Sequence, residues 1–343
     1  MWCARTVAVT RASCNSTAAT GLFRLRAGLG PLLFLAHQPS NLGETMRSRD
    51  FAMLAAAFVL VLQSTPGSAQ SDCTERTAFS IGASSVSKLN GSALKFHRPL
   101  AINIDGAPNA YHIKGRPFGA LDTLCNAGRA ISSVRGTYEG ADRCGDFLKD
   151  VEAARASGWH ADPRIEWFGV ATVDQARNEP IVQSEGRHQG YFVSTTSFQN
   201  TAFDRADPRR YLDSRIVPFI VLPGRSPFFS QAGAALGNVA FVYDPVTQRE
   251  AFAIVGDVGP AKALGEGSIA LAAAIKGKEI DPDTLTSERV KALAISQPIV
   301  TIVFPGTKVP APFDRVQIDA IGAGAAETFG GMDRLRACAA DPQ

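Results

Sequence analysis

The sequence predicts a mainly β fold, a barrel or sandwich core with a few peripheral α-helices. Three observations predict it. Seven short segments rich in Val, Ile, Phe and Tyr are bounded by Gly, Pro, Asp or Asn. Helical spacing of apolar residues is confined to a few stretches. Strands and helices do not alternate as a doubly wound α/β fold requires.

In chain order, strands are expected at Leu100 to Ile104, Ile165 to Val173, Gly190 to Ser197, Ile216 to Leu222, Val239 to Tyr243, Ala251 to Val255 and Ile299 to Phe304. Gly145 to Gly158 carries Leu148, Val151 and Ala154 at helical spacing and ends on a glycine. Ser268 to Lys276 starts with a serine suited to an N-cap, and Ser287 to Ala294 gives a third helix. The last few residues are expected to fray.

The 343 residues suffice for one large or two modest domains. The formal charge of +3 is concentrated at the start, because Arg5, Arg11, Arg24, Arg26, Arg47 and Arg49 precede residue 70 with only Glu44 and Asp50 against them. The remainder is near neutral, without the basic surplus of a nucleic-acid binder. From Met46 the chain reads as a secretory signal: two arginines, an apolar run from Phe51 to Leu62, a Pro-Gly break and small residues up to Ala69. That run falls short of the roughly 20 residues of a membrane span. Residues 1–45 are thus expected to be an upstream extension, 46–69 a signal peptide and 70–343 a single domain. A secreted protein, free of the membrane after cleavage, is the expectation.

Beyond the signal, Cys73, Cys125, Cys144 and Cys338 remain, an even number that suits two disulfides in an exported chain. Of the three possible pairings, Cys125–Cys144 joins close neighbours and Cys73–Cys338 ties the ends together. No C-x-x-C spacing points to a metal, and no metal or cofactor is expected.

Gly-x-Ser-x-Gly and His-Glu-x-x-His motifs are absent, and His97, His112, His160 and His188 occur singly. Gly322-Ala-Gly324 begins like a dinucleotide fingerprint, but Glu327 stands where the third glycine belongs. The glycine-rich stretch Val255 to Ser268, VGDVGPAKALGEGS, is not a phosphate loop, because Glu266 stands where a P-loop has lysine. It does carry two carboxylates, Asp257 and Glu266, and a Gly259-Pro260 turn that can fold them toward one cleft. Glycosidic hydrolysis needs such a pair, one to protonate the leaving oxygen and one to activate water or attack the sugar. Acids in a loop also commonly serve as solvated or capping residues.

The segments INIDGAPNAYH (102–112), GYFVSTTSF (190–198), YLDSRIVPFIVLPG (211–224), AFAIVGDVGPAKALGEGSIALA (251–272) and VTIVFPG (300–306) resemble, in the same order, the chitosanases of glycoside hydrolase family 75. The resemblance covers about Leu100 to Phe329 and points to a bacterial member. It implies that Asp257 and Glu266 are the catalytic pair of an inverting endo-chitosanase. The turn also resembles that of family 45 endoglucanases and other double-psi β-barrels, which implies a six-stranded, double-psi-like core. The chain departs from fungal members in lacking a cysteine beside Asp105, and its stretch from Cys125 to Gly158 is unusual.

Chitosan, the implied partner, is a polycation, so acids and aromatic rings should line an open groove. Asp105, Asp174 and Asp213 are candidates for its ammonium groups. Tyr111, Tyr191, Phe198 and Tyr211 are candidates for its sugar faces, and His112 and Thr195 complete the expected binding set. Asp213 suits a turn cap equally well, and Phe198 and Tyr211 suit the core. Flanking Leu264 and Ile269 favour Glu266 as general acid. Asp257 is then the base, or an orienting partner if Asp105 holds the water. A monomer is expected. Two other functions fit the same residues: a non-catalytic, expansin-like carbohydrate-binding barrel, and a hydrolase of another amino-sugar polymer such as peptidoglycan.

Overall fold

The computed structural model describes residues 73–114, 118–174, 178–224 and 227–340. The expected extension and signal peptide, with Cys3 and Cys14, lie outside the described residues. A mainly β core is observed. The first strands are β1 (Glu75–Ile81), β2 (Ser84–Leu89), β3 (Ala93–Asn103), β4 (Gly128–Ser132), β5 (Gly136–Glu139), β6 (Arg164–Trp167) and β7 (Phe219–Pro223). They are followed by β8 (Val239–Asp244), β9 (Arg249–Gly259), β10 (Glu266–Ser268) and β11 (Ile295–Phe304). The helices are α1 (Cys144–Ala156), α2 (Pro227–Gln231), α3 (Ile269–Lys276), α4 (Ser287–Lys291), α5 (Arg315–Phe329) and α6 (Met332–Ala340).

Strands β3, β10, β7, β9, β8 and β11 pair in that order, and β11 pairs back onto β3, which closes a six-stranded barrel. Two of the pairings, β10–β3 and β7–β9, are parallel, and the other four are antiparallel. Closure removes the open edges that a sheet of this size would expose. The hairpin β1–β2 extends the sheet beyond β3, and β4, β5 and β6 form a separate three-stranded sheet under α1.

Strand β8 shows why the barrel strands read as unbroken apolar runs. Ala240 and Val242 join one buried cluster with Val255 and Ile269, whereas Phe241 and Tyr243 join a second with Ile318 and Leu335. Side chains alternate across a strand, so a strand covered on both faces is apolar throughout. Helix α5 supplies much of the outer cover. Gly322 lets it approach closely, because a Cβ there would lie 2.3 Å from Cγ of Phe252. Gly322, the first glycine of the half-matched dinucleotide fingerprint, is thus a helix-packing position, whereas Gly324 faces open space.

Several sequence expectations need correction. Gly190 to Ser197 is not a continuous strand; it makes isolated bridges through Tyr191, Phe192 and Ser194. The strand expected from Ile165 to Val173 stops at Trp167 and continues only as bridges at Val170 and Thr172. In α1 the buried apolar residues are Phe147, Val151 and Ala154, and Leu148 is exposed. The last residues, 341–343, lie outside the described residues, and before them α6 is held by a disulfide between buried Cys338 and Cys73. The second disulfide joins Cys125 to Cys144, so both expected pairs are present. Helix α3 starts as expected, with Ser268 Oγ accepting from the Leu271 amide, and ends at Gly277 in the left-handed region.

Candidate active site

A bulge places the first carboxylate. Along β7 and β9, Ile220 faces Val255, but the next residue, Val221, faces Asp257, so Gly256 is an extra residue in β9. Only glycine fits there, because a Cβ would come within 2.6 Å of both Leu212 and Phe219. Bulges of this kind re-aim the side chain that follows. On the other side of β7, Val221 faces Glu266 of β10. Asp257, Val221 and Glu266 therefore form one row across three strands, and residues in register share a face. Next-nearest strands put the two acidic Cα atoms about 9–10 Å apart.

Gly259 keeps the space between the acids open. It lies two residues beyond Asp257 on the same face, and a Cβ there would stand 3.7 Å from Oε2 of Glu266 and 2.9 Å from Val221. The Glu266 carboxyl thus leans across Val221 toward β9.

The two acids sit in different environments. Asp257 is buried, and its Oδ1 accepts from the Ser197 amide at 2.8 Å, the Ser197 hydroxyl at 2.6 Å and the Val258 amide at 2.8 Å. Burial pushes its pKa up, and the three donors partly oppose that. Glu266 is also raised, chiefly by burial and secondarily by the charge of Asp257, against a hydrogen bond from Asn103.

Asp105 completes a cluster of three acids. It follows β3, whose parallel pairing with β10 sets Asn103 opposite Ser268. The Asn103 side chain bridges two acids, since its Oδ1 accepts from the Asp105 amide at 2.9 Å while the same side chain bonds Glu266. Asp105 Oδ1 accepts from the Tyr111 hydroxyl at 2.9 Å. Behind it sits Gly169, where a Cβ would be 2.2 Å from Oδ1. Burial first, and then the charge of Asp257, push Asp105 up to about 8, with the Tyr111 hydrogen bond acting in the opposite direction. Asp105 is therefore a neutral acid at pH 7.

The remaining expected residues divide. Tyr111 is buried behind Asp105 and meets the groove through that acid. His112 stacks on the exposed ring of Phe118, with centroids 5.4 Å apart, and meets Tyr191 edge-on at 5.0 Å. The Tyr191 hydroxyl donates to the carbonyl of Phe118. Thr195 donates its amide to the Gly169 carbonyl at 3.0 Å, which ties its segment to the backing of Asp105. Asp213 is engaged by Arg215 at 2.7 Å and by the Arg215 amide at 3.0 Å, a turn-capping arrangement. Tyr211 is buried with its hydroxyl on the Arg205 carbonyl, and Phe198 packs on Phe313 at 4.5 Å. Asp174 is part-buried, and its carbonyl accepts from the Asn178 amide.

Sequence reasoning missed Asn103, Ser194, Ser197, Gly169, Phe118 and Phe168. Ser194 donates to the Gly169 carbonyl and accepts from the Gly106 amide, which locks the two segments around Asp105. Phe168 is 56% exposed and precedes Gly169, the residue that backs Asp105. The motifs INIDG and GYFVSTTSF contain Asn103, Ser194 and Ser197, so their polar residues were the available signal.

No protein-family model matches the chain, and no curated protein sequence matches it. Among the described residues no group of three or more His, Cys, Asp or Glu side chains is placed to hold a metal ion. No described helix is long and apolar enough to cross a membrane.

Proposed function

We propose that the chain is a secreted endo-chitosanase that cleaves β-1,4 links between glucosamine units with inversion. The observation that carries this is the row Asp257–Val221–Glu266, with one acid fixed by three donors and the pKa of the other raised chiefly by burial. Glu266 protonates the glycosidic oxygen as the C–O bond breaks. Asp257 takes a proton from a water that attacks the anomeric carbon from the opposite side. The three donors converge on Oδ1 of Asp257, so Oδ2 is the oxygen left to the water. A separation of two strands suits the roughly 6.5–9.5 Å of inverting pairs better than the roughly 5–5.5 Å of retaining ones.

Asp105, neutral and accepting from Tyr111 through Oδ1, has its own proton to give to a water or a sugar hydroxyl. Asp257, ionised as the base, supplies negative charge that a glucosamine ammonium group seeks. Phe168 and the Phe118–His112 stack supply faces for the sugars. An expansin-like binding role needs no pair of acids facing each other across one strand.

The test uses Glu266→Gln and Asp257→Asn with chitosan as substrate. Both variants are near-isosteric and should fold and bind while kcat falls by about 10²- to 10⁴-fold. Proton NMR of the parent reaction should show the α-anomer released first. Near-normal turnover of Glu266→Gln would remove the proposal, and a β-anomer would overturn inversion. Faster cleavage of peptidoglycan than of chitosan would shift the substrate assignment.

A further inference from the structure

A second feature lies away from the acids, where the β1–β2 hairpin faces the start of α6. An open cleft of about 750 Å³ is lined by Thr74, Arg76, Thr77, Lys88, Asn90, Gly91 and Arg334. The lining holds three cations and no carboxylate. Arg76 and Lys88 stand directly opposite each other in the β1–β2 ladder. Like charges in that position repel and destabilise a hairpin, so the arrangement costs the fold stability unless an anion sits between them.

Two further observations point the same way. Asn90 accepts from the Thr74 amide through Oδ1 at 3.0 Å, which fixes its amide plane, and its buried Nδ2 has no hydrogen-bond partner. Buried donors in native proteins are nearly always satisfied, so one lining a cleft calls for an acceptor. Arg334 is built into its place as well. Its guanidinium lies over the Phe329 ring at 5.9 Å, and Gly330 leaves it room, since a Cβ there would be 2.8 Å from Arg334 Cδ.

We propose that this cleft binds a phosphate or sulfate group. Two opposed cations, a neighbouring guanidinium, an amide donor and the hydroxyls of Thr74 and Thr77 form a donor set for a multiply charged oxyanion, which accepts on several oxygens at once. The assignment is independent of the chitosanase proposal, because none of these residues belongs to the barrel row that carries the acids. The volume accommodates more than one small ion, so a free group and one borne on a polymer both fit; the chemistry of recognition is shared.

The experiment measures thermal unfolding and isothermal titration of the disulfide-intact protein with inorganic phosphate in one arm and dextran sulfate in the other. Sodium chloride at matched ionic strength is the control. The parent should bind in at least one arm with a rise in Tm that chloride does not reproduce. Arg76→Gln with Lys88→Gln should weaken that binding by roughly tenfold or more. Both side chains are exposed, and without ligand the double variant should be at least as stable as the parent at low salt. Binding by phosphate identifies a free oxyanion site, and binding by dextran sulfate alone identifies a polymer site. Equal effects of chloride, or equal binding by parent and double variant, would overturn the proposal.

Discussion

At the scale of single residues, Asp105 is a group whose protonation the fold controls strongly. Its ordinary value is 3.8, and burial together with Asp257 raises it to about 8. Below pH 4 both folded and unfolded chains hold this proton. Between about pH 4 and 8 the unfolded chain has lost it and the folded chain keeps it, so stability contributed by the neutral acid declines as pH rises. Asp257 and Glu266 are shifted in the same direction, so only a difference isolates Asp105. Asp105→Asn cannot ionise. Urea unfolding at pH 5 and pH 7.5 should show the parent losing more stability across that interval than the variant does. Parallel losses would mean that Asp105 titrates normally. The sequence placed Asp105 among ammonium-binding candidates, but nothing in the residues around it announced a raised pKa. That property arises from burial, to which the backing at Gly169 contributes, and from the charge of Asp257, both of which the chain brings in from far along the sequence.

At the scale of elements, the short strand β10 depends on the residue before it. Gly265 has φ +94, and a Cβ there would lie 2.3 Å from the Pro99 carbonyl oxygen. Gly265→Ala therefore strains the backbone and pushes β10 from β3, which moves Glu266. A loss of about 1–3 kcal/mol is expected from the backbone strain alone, readable by denaturant unfolding, together with reduced turnover. Full stability would show that β10 can shift without cost. The barrel strands were legible in the sequence because burial on both faces leaves continuous apolar runs, as in β8. The hairpin β1 was not, because Arg76, Thr77 and Ala78 are exposed on an outer strand. Helix α5 was missed because Gly322 and Gly324 each cost roughly 1 kcal/mol of helix propensity, and only Gly322 gains close packing on Phe252 in return. Its start was nonetheless marked, since Asp314 accepts from the Gln317 amide at 2.9 Å in a capping arrangement. The bulge at Gly256 has no signature of its own in the sequence, yet it decides where Asp257 points.

At the scale of the whole molecule, the two disulfides act on different parts. Cys73 and Cys338 are 265 residues apart, and their bridge ties β1, an outer strand, to α6, the last described helix. Cys125 and Cys144 are 19 apart, and their bridge closes the small sheet onto α1. If a bridge acts by restricting the unfolded chain, a loop of 100 residues contributes about 4.7 kcal/mol and one of 15 about 3 kcal/mol. Replacing Cys73 and Cys338 together with serine should then cost more stability than replacing Cys125 and Cys144. The effects on turnover should be opposite in rank. The Phe168 amide donates to the Ala127 carbonyl at 2.8 Å, two residues from Cys125, and Phe168 leads into the glycine that backs Asp105. Loss of the Cys125–Cys144 bridge loosens that wall of the groove, so KM for chitosan should rise. Loss of the Cys73–Cys338 bridge leaves the row of acids intact, so turnover well below its lowered Tm should be near that of the parent. Denaturant unfolding and steady-state kinetics of the two double variants decide both rankings. A larger stability loss from the short bridge would mean that native contacts of the small sheet outweigh loop entropy. An unchanged KM in Cys125→Ser/Cys144→Ser would remove the small sheet from the groove.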